Sequence, residues 1–151
     1  MVAGGIGVTP CMGILKDVYE IGLTEAQRDD STPCAIDSLY LLWVIPHMED
    51  YECFRPELEA LMKESKLPNR PTLNLMVYIT RSKEKLVMPF VAGRPDVANL
   101  FRVMMEDHDD DDAALVFACG PQALVSETWD QSIHHTMQGK LVDFHHEIFD
   151  F

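Results

Sequence analysis

The residues near the amino terminus have the types and the spacing of a loop that binds phosphate. Gly4, Gly5 and Gly7 fall within the stretch GGIGVTP, and glycine permits both a positive φ and the close approach of another molecule. Thr9 is expected to cap the following helix, with Pro10 at the first helical position, where its missing N–H costs nothing. The start of a helix directs free N–H groups at one point, which favours an anion there. The alternative is a structural turn.

The loop differs from two widespread nucleotide-binding motifs. The G-x-G-x-x-G fingerprint would need a glycine where Pro10 stands, and a Walker loop would need G-K-[ST], which the chain lacks. A second glycine loop, Cys119-Gly120-Pro121, follows a later apolar run. The phosphate interpretation therefore depends on where the fold places these two loops.

Apolar runs alternate with helical patterns along the chain. Strands are expected at residues 1–3, 38–45, 73–80, 114–119 and 141–144, and helices at 10–21, 56–65, 95–106 and 121–137. Residues 81–93 have the character of an irregular connection. Runs that are apolar on both faces indicate strands buried in a parallel sheet. We therefore expect an α/β fold with a doubly wound, mainly five-stranded parallel sheet in the order 3-2-1-4-5 and helices on both faces.

The predicted order brings the two glycine loops together. Ligands of open parallel sheets bind at the carboxyl ends of the strands, where the strand order reverses. The first and fourth strands are neighbours there, so GGIGVTP and Cys119-Gly120-Pro121 would face one crevice. This agreement favours a phosphate site over a structural turn.

The composition limits the class of protein further. The chain has 151 residues, enough for one domain with a hydrophobic core, and a net charge of −13, which disfavours nucleic acid and anionic membrane surfaces as partners. No run of about 18 apolar residues occurs, so no direct insertion into a membrane is expected. The four cysteines are widely spaced without a C-x-x-C pair, which favours a reducing environment and no zinc site.

Two other stretches carry possible metal ligands. The acidic run at 107–112 has alternate carboxylates but lacks the glycine and the closing glutamate of a calcium loop. The adjacent histidines at 134–135 and at 145–146 would point in different directions. No metal site is therefore predicted.

Four stretches occur together in one order: VAGGIGVTP at 2–10, GRPD at 93–96, ACGP at 118–121 and FHHEIF at 144–149. With them, essentially the whole chain resembles the C-terminal nicotinamide-nucleotide-binding lobe of the ferric reductase and NADPH oxidase family, which is ferredoxin–NADP reductase-like. The resemblance implies that residues 1–151 are a single NAD(P)H-binding domain. In this family an FAD-binding barrel and membrane haem helices precede the lobe. We therefore expect a truncated first strand and a chain without the upstream FAD and haem domains.

The resemblance also implies which residues bind the cofactor. Gly4, Gly5, Gly7 and Thr9 are expected to hold its pyrophosphate. The cofactor-binding residues also include Pro10, Gly120, which allows close approach, and Pro121, which starts the next helix. Thr80 and Arg81 would meet a 2′-phosphate, with a solvated loop as the alternative. Arg94 would reach the nucleotide, and Asp96 would either fix Arg94 or cap the next helix. Pro46 stands where family members often carry an arginine, so NADH remains an alternative to NADPH.

The remaining predicted site residues lie near the nicotinamide in the family that the chain resembles. Cys119 would position nicotinamide C4 without acting as a nucleophile, and Glu147 would lie close by. Phe151 is expected to stack on the flavin, while Phe149 anchors the tail in the core.

The implied activity is delivery of hydride from NADPH to FAD in a partner domain. Electrons would then pass through transmembrane haem to dioxygen, giving superoxide or peroxide, or to ferric iron. The chain would be part of an NAD(P)H-dependent oxidoreductase at the cytosolic face of a membrane, and inactive when isolated. The alternative is a non-catalytic nucleotide-binding or interaction module.

Overall fold

The computed structural model describes residues 1–20, 35–106 and 112–149, and the structural statements below concern these residues. The described strands are β1 Val2–Gly4, β2 Ser38–Ile45, β3 Thr72–Ile79, β4 Phe90–Ala92, β5 Ala113–Gly120 and β6 Leu141–Ile148. The described helices are α1 Val8–Val18, α2 Met48–Glu52, α3 Arg55–Glu64, α4 Val97–Glu106 and α5 Gln122–Met137. A single 3₁₀ turn, Gly5–Gly7, joins β1 to α1. No helix in these ranges is long and apolar enough to cross a membrane.

The strands form one parallel sheet in the order β4-β3-β2-β1-β5-β6. The α/β class is confirmed, and the five predicted strands keep the predicted relative order. The predicted count was wrong, because residues 81–93 contain the additional edge strand β4. Its three residues pair with the end of β3 and are too few to show a strand period in the sequence.

The short strand β1 lies at the centre of the sheet. Val2 is in register with Leu42 of β2 on one side and with Ala118 of β5 on the other. Side chains alternate between the two faces of a strand. Ala3 therefore joins the core under α1, α2 and α3, while Val2 joins the core under α4 and α5.

The start of α1 differs from the sequence prediction. The helix begins at Val8, and its N-cap is Gly7, with no side-chain cap hydrogen bond. Thr9 is therefore inside the first turn rather than a cap, and Pro10 is the third helical residue rather than the first. The 3₁₀ turn at Gly5–Gly7 leads directly into the helix and displaces its start by two residues. The predicted end of this helix, at residue 21, lies outside the described ranges.

The other helix and strand boundaries shift by small amounts. The short helix α2 has no counterpart in the prediction, and α4 begins at Val97, two residues later than expected. Asp96 caps this helix, because its Oδ1 accepts a hydrogen bond from the backbone N of Asn99 at 3.0 Å. Strand β6 runs four residues beyond its predicted end to Ile148. Its last four positions are all exposed, so no polar–apolar alternation marks them in the sequence.

Candidate nucleotide-binding site

A cavity of about 460 Å³, called the crevice below, lies at the carboxyl ends of the parallel strands. Its lining includes one residue after each of five adjacent strands: Thr80, Pro46, Gly5, Pro121 and Phe149, which follow β3, β2, β1, β5 and β6. Neighbouring strands lie about 4.8 Å apart, so five strand ends span roughly 19 Å. An opening of this length suits an extended ligand with several recognisable groups better than a single anion.

The two glycine loops pack against each other, as the sequence predicted. A Cβ at Gly4 would lie 2.5 Å from Cδ of Pro121, and a Cβ at Gly7 would overlap the backbone carbonyl of Cys119. A Cβ at Gly120 would lie 2.8 Å from the backbone N of Gly4, and Gly120 also has a φ of +152°. Larger residues are therefore excluded because the backbones of the two loops touch.

Gly5 differs from the other glycines of the loop. It has a φ of +55°, a Cβ there would meet nothing within 4 Å, and the residue lines the crevice beside Ile6. The exposed part of the loop is thus Gly5-Ile6, directly before the helix start. Gly7 is buried behind it, and neither Thr9 nor Pro10 lines the crevice, so the structure does not bring these three residues to the cavity.

The side chain of Trp43 holds the Gly5-Ile6 part of the loop in place by a hydrogen bond. This side chain is only 1% exposed, and its Nε1 donates a hydrogen bond to the carbonyl oxygen of Gly5 at 2.8 Å. Its ring packs edge-on against Phe54, with 5.5 Å between the centroids. Sequence reasoning assigned Trp43 to a buried strand and missed this contact. The available signal was that a buried indole N–H needs an acceptor.

Basic and polar residues lie at the β2–β3 end of the crevice. Thr80 and Arg94 both line it, and the Thr80 hydroxyl donates to the carbonyl of Ile45 at 3.3 Å. Gly93 is held beside β3 because its N–H donates to the carbonyl of Ile79 at 3.0 Å. Arg81 follows Thr80 and is exposed at the rim. Arg94 and Glu127 carry opposite charges, and both line the crevice.

The other end of the crevice contains Gly120 and Phe149. Phe149 is 39% exposed and lines the cavity, while its backbone N–H donates to the carbonyl of Gly120 at 3.2 Å. The expectation that Phe149 lies in the core was therefore wrong, because β6 extends far enough to carry this ring to the strand ends. Phe151 lies outside the described residues.

Cys119 is close to this end but does not line the crevice. The side chain is fully buried, and the residue is in register with Ala3 of β1 and Glu147 of β6. Burial, and secondarily the nearby Glu147 carboxylate, raise the pKa of the Cys119 thiol. Cys119 is therefore a buried, neutral thiol that precedes Gly120 in β5 without lining the crevice. Glu147 itself is exposed and does not line the crevice.

A second cavity, of about 570 Å³, lies between α4 and α5 and away from the strand ends. It includes Arg102, His134 and His135, with carboxylates from Asp96 and Glu106. Its volume is larger, but it has no glycine loop and its charges are mixed. Within the described ranges, no group of three or more His, Cys, Asp or Glu side chains is placed to hold a metal ion. The predicted acidic run lies mostly outside these ranges.

The fold and the crevice define a nucleotide-binding α/β domain. The sequence model of the family described as ferric reductase NAD binding domain matches residues 1–88, which is more than half of the chain. The chain therefore belongs to this family of oxidoreductase domains, and the resemblance drawn from the four sequence stretches is confirmed.

Curated relatives support the same assignment beyond residue 88. Dual oxidase of Drosophila melanogaster is 25% identical over 177 residues, covering 100% of this chain and 11% of that protein. NADPH oxidase 4 of Homo sapiens is 26% identical over 159 residues, covering 98% of this chain and 26% of that protein. NADPH oxidase 3 of Homo sapiens is 27% identical over 152 residues, covering 88% of this chain and 26% of that protein. The chain thus spans between 11% and 26% of the length of these relatives.

Proposed function

We propose that the chain binds NADPH along the crevice and presents its nicotinamide to FAD held by another domain. The observation that carries this proposal is the lining of one cavity by residues that follow five adjacent parallel strands. A dinucleotide has two nucleosides and a central pyrophosphate, so it needs a site extended across a switch point. Residues 1–151 would act as one nucleotide-binding domain.

The chemical character of the residues along the crevice supports one orientation of the cofactor. Gly5 and Ile6 line the crevice after the central strand, and a Cβ at Gly5 would meet nothing within 4 Å. This open backbone directly before a helix suits the pyrophosphate. The adenosine half would lie toward Thr80 and Arg94, where positive charge is available. The nicotinamide half would then lie toward Gly120 and Phe149.

Residues of the chain contribute binding and orientation rather than chemistry. When bound, NADPH supplies a hydride from C4 of its nicotinamide and FAD accepts it, so the redox chemistry belongs to the cofactors. Phe149 offers an exposed ring at the end where the two cofactors would meet. We assign Cys119 a positioning role, because it is buried directly before Gly120 and does not line the crevice.

The remaining domains of the parent protein follow from the family. The partners would be an FAD-binding barrel and a membrane haem domain, which place this domain at the cytosolic face of a membrane. The relatives are named as oxidases, which favours dioxygen over ferric iron as the final acceptor.

Calorimetric titration of the chain with NADPH tests the binding step. Arg94→Ala should weaken binding by about 1.5–3 kcal/mol, the value of a hydrogen bond to a charged group. The matched control is Arg102→Ala, which removes an exposed arginine of α4 that pairs with Glu106 at 2.7 Å and does not line the crevice. Equal effects of the two substitutions, or no saturable binding of NADPH, would contradict the proposal.

Transfer to flavin is tested with the chain joined to the flavin domain of its parent. NADPH should bleach the flavin absorbance in an anaerobic stopped-flow mixing experiment, whereas the isolated chain should reduce no added ferricyanide. Binding of NADPH without any flavin reduction would instead support a non-catalytic nucleotide-binding module.

A further inference from the structure

Strand β6 forms one edge of the sheet, and none of the described strands pairs with its outer side. Its eight residues pair one for one with β5, from Leu141 opposite Ala113 to Ile148 opposite Gly120, so no bulge interrupts the strand. Residues 141–148 contain neither lysine nor proline. Lysine, proline and bulges are devices by which many edge strands avoid further pairing. The outer side of β6 is therefore a regular row of backbone groups that suits another strand.

The backbone groups on this outer side belong to the even-numbered residues of β6. The N–H of Phe149, directly after the strand, donates to the carbonyl of Gly120 at 3.2 Å, so the odd-numbered residues direct their backbone groups toward β5. The direction of these groups alternates along a strand. The N–H and C=O groups of Val142, Phe144 and His146 therefore point away from the sheet.

An apolar strip of α5 runs beside this edge. Trp129, Ile133 and Met137 are spaced four residues apart, so they share one face of the helix, and they are 45%, 39% and 83% exposed. The ring of Trp129 packs edge-on against that of Phe144 in β6, with 5.0 Å between the centroids. The α5 strip, as these three residues are called below, therefore lies on the β6 side of the helix. Contiguous exposed apolar residues are typical of a protein–protein interface.

We propose that two copies of the chain associate through β6, which pairs antiparallel with itself about a two-fold axis at Phe144. The contact joins the two six-stranded sheets into one continuous sheet. The same patch is used on both copies, as a closed two-fold dimer requires. Both α5 strips then lie on the same face of the joined sheet, next to the axis. This inference goes beyond the proposed function and does not depend on nucleotide binding.

Charge complementarity selects this register of β6 against itself. With Phe144 opposite its own copy, Asp143 lies opposite His145 of the second copy, and the symmetry gives this pair twice. These are non-hydrogen-bonded positions, where the Cα atoms are about 4.5 Å apart and side chains interact most closely. Opposite charges across strands are stabilising, and like charges are destabilising.

The neighbouring registers bring like side chains together. An axis at His145 would place Asp143 opposite Glu147 and each His145 opposite its own copy. An axis at Asp143 would place two carboxylates opposite each other. Only the axis at Phe144, of these three, pairs the carboxylate with an imidazole.

The joined sheet leaves both crevices open. The two β6 strands run in opposite directions, so the carboxyl ends of the two sheets lie at opposite edges. Phe149, which lines the crevice, is five residues from the axis at Phe144, or roughly 17 Å along an extended strand. We therefore expect the monomer and the dimer to bind NADPH equally well.

Sedimentation equilibrium of the full chain tests the association. Between about 1 and 100 μM the mass should rise from 17.1 kDa toward about twice this value. His145→Asp places carboxylates opposite each other at both pairs and should weaken association by about 10-fold or more. His145→Lys places a permanent positive charge opposite Asp143 and should strengthen association by about 3- to 10-fold. The double variant Asp143→His with His145→Asp exchanges the two partners and should restore wild-type association.

The contribution of the α5 strip is tested with a matched pair of variants. Ile133→Glu places a charge in the strip and should weaken association by about 10-fold. Gln138→Glu adds the same charge to the carboxyl end of α5, but on the side that lines the cavity toward α4, and should leave association unchanged. Melting temperatures should stay within a few degrees, because the substituted side chains are exposed.

The outcomes decide between this surface and others. A chain that stays at 17.1 kDa throughout the concentration range would overturn the proposal. A dimer that His145→Lys weakens would overturn it too, because that result belongs to the register in which His145 meets its own copy. A dimer unaffected by both His145→Asp and Ile133→Glu uses a different surface, which also contradicts the proposal. Failure of the wild-type chain to bind NADPH would instead overturn the proposed function and leave the association as measured.

Discussion

Trp43 donates a hydrogen bond from Nε1 to the carbonyl oxygen of Gly5 at 2.8 Å, so a buried side chain of β2 holds the loop that follows β1. The indole N–H is a donor only, and the carbonyl of Gly5 lies at the start of the 3₁₀ turn. This contact links the core beneath α1 to the exposed part of the phosphate loop. The rigidity of the crevice therefore depends on a residue that does not line it.

Replacing Trp43 by phenylalanine should loosen the loop. The variant keeps an aromatic ring in the core but removes one of the two donors to the Gly5 carbonyl, which retains the backbone N–H of Val8. We expect a loss of about 0.5–1.5 kcal/mol in the free energy of unfolding, the net value of one hydrogen bond. NADPH binding should weaken as well, because Gly5 lines the crevice. Urea unfolding and calorimetry measure the two effects. The control is Trp129→Phe on α5, whose ring is 45% exposed and does not line the crevice, and which should leave binding unchanged.

Two glycines of one segment should respond oppositely to alanine. In Gly7→Ala the new Cβ would overlap the backbone carbonyl of Cys119, and we expect destabilisation of about 1–3 kcal/mol or more, since backbone cannot move aside cheaply. In Gly13→Ala the Cβ meets nothing within 4 Å on an exposed face of α1, and the helix should gain about 0.5–1 kcal/mol. Thermal unfolding of both variants checks this. Equal losses would contradict the packed arrangement of the two loops.

Much of the fold was predictable from the sequence because the apolar runs at 38–45 and 73–80 are long, with residues of both faces buried or half-buried. The meeting of the two glycine loops followed from strand order alone. The start of α1 was not predictable, because Thr9 and Pro10 fit cap and first-turn positions while the 3₁₀ turn decides where the helix begins. Strand β4, with three residues, is too short to show a period.

The candidate site was predicted less completely than the fold. Gly5, Thr80, Arg94, Gly120 and Phe149 line one cavity, so the motifs identified residues that the fold brings together at one edge of the sheet. The contacts of Trp43 with Gly5 and of His47 with Arg81 join residues that are 38 and 34 positions apart. A local pattern carries no information about such pairs, since each member alone resembles an ordinary buried or exposed residue.

The thiols should differ sharply in reactivity. Cys53 is exposed, while Cys11 and Cys119 are buried, and burial raises the pKa of Cys11 to about 12 and also raises that of Cys119. The thiolate is the reactive form, so only Cys53 should be alkylated by iodoacetamide in the native protein at pH 8. The experiment uses a Cys34→Ser background, because residue 34 lies outside the described ranges. Mass spectrometry should find one label, and three after unfolding in urea.

Labelling of Cys119 in the native state would change the account of the crevice. It would mean that the thiol reaches solvent at the nicotinamide end, in direct contact with the cofactor, rather than lying buried directly before Gly120. Adding NADPH provides the control, since a ligand at that end would then slow the labelling of Cys119 and leave that of Cys53 unchanged.

His135 should make the protein sensitive to mild acid. The residue is 94% buried on α5, with its ring stacked near Phe101 at 6.2 Å between centroids and 25° between planes. Its Nε2 is buried and has no hydrogen-bond partner among the described residues. Burial, and then the charges of His134 and Lys140, lower the pKa of His135 below its usual value of 6.5.

The direction of the pH effect follows from this lowered pKa. Below about pH 6.5 the unfolded chain binds a proton on His135, whereas the folded chain does not until the pH reaches the lower pKa of the folded state. The contribution of neutral His135 to the free energy of unfolding is therefore fully present above about pH 6.5. It decreases as the pH falls toward the folded-state pKa. His135→Phe keeps an aromatic ring against Phe101 and removes the titrating group. Its free energy of unfolding, relative to that of the wild type, should therefore rise as the pH is lowered from 7.5 to 5.5. The control, His134→Gln, changes an exposed neighbour and should retain most of the acid-dependent loss, because burial of His135 is the larger cause of its lowered pKa. Parallel pH profiles for wild type and His135→Phe in urea titrations would show that other groups carry the acid sensitivity.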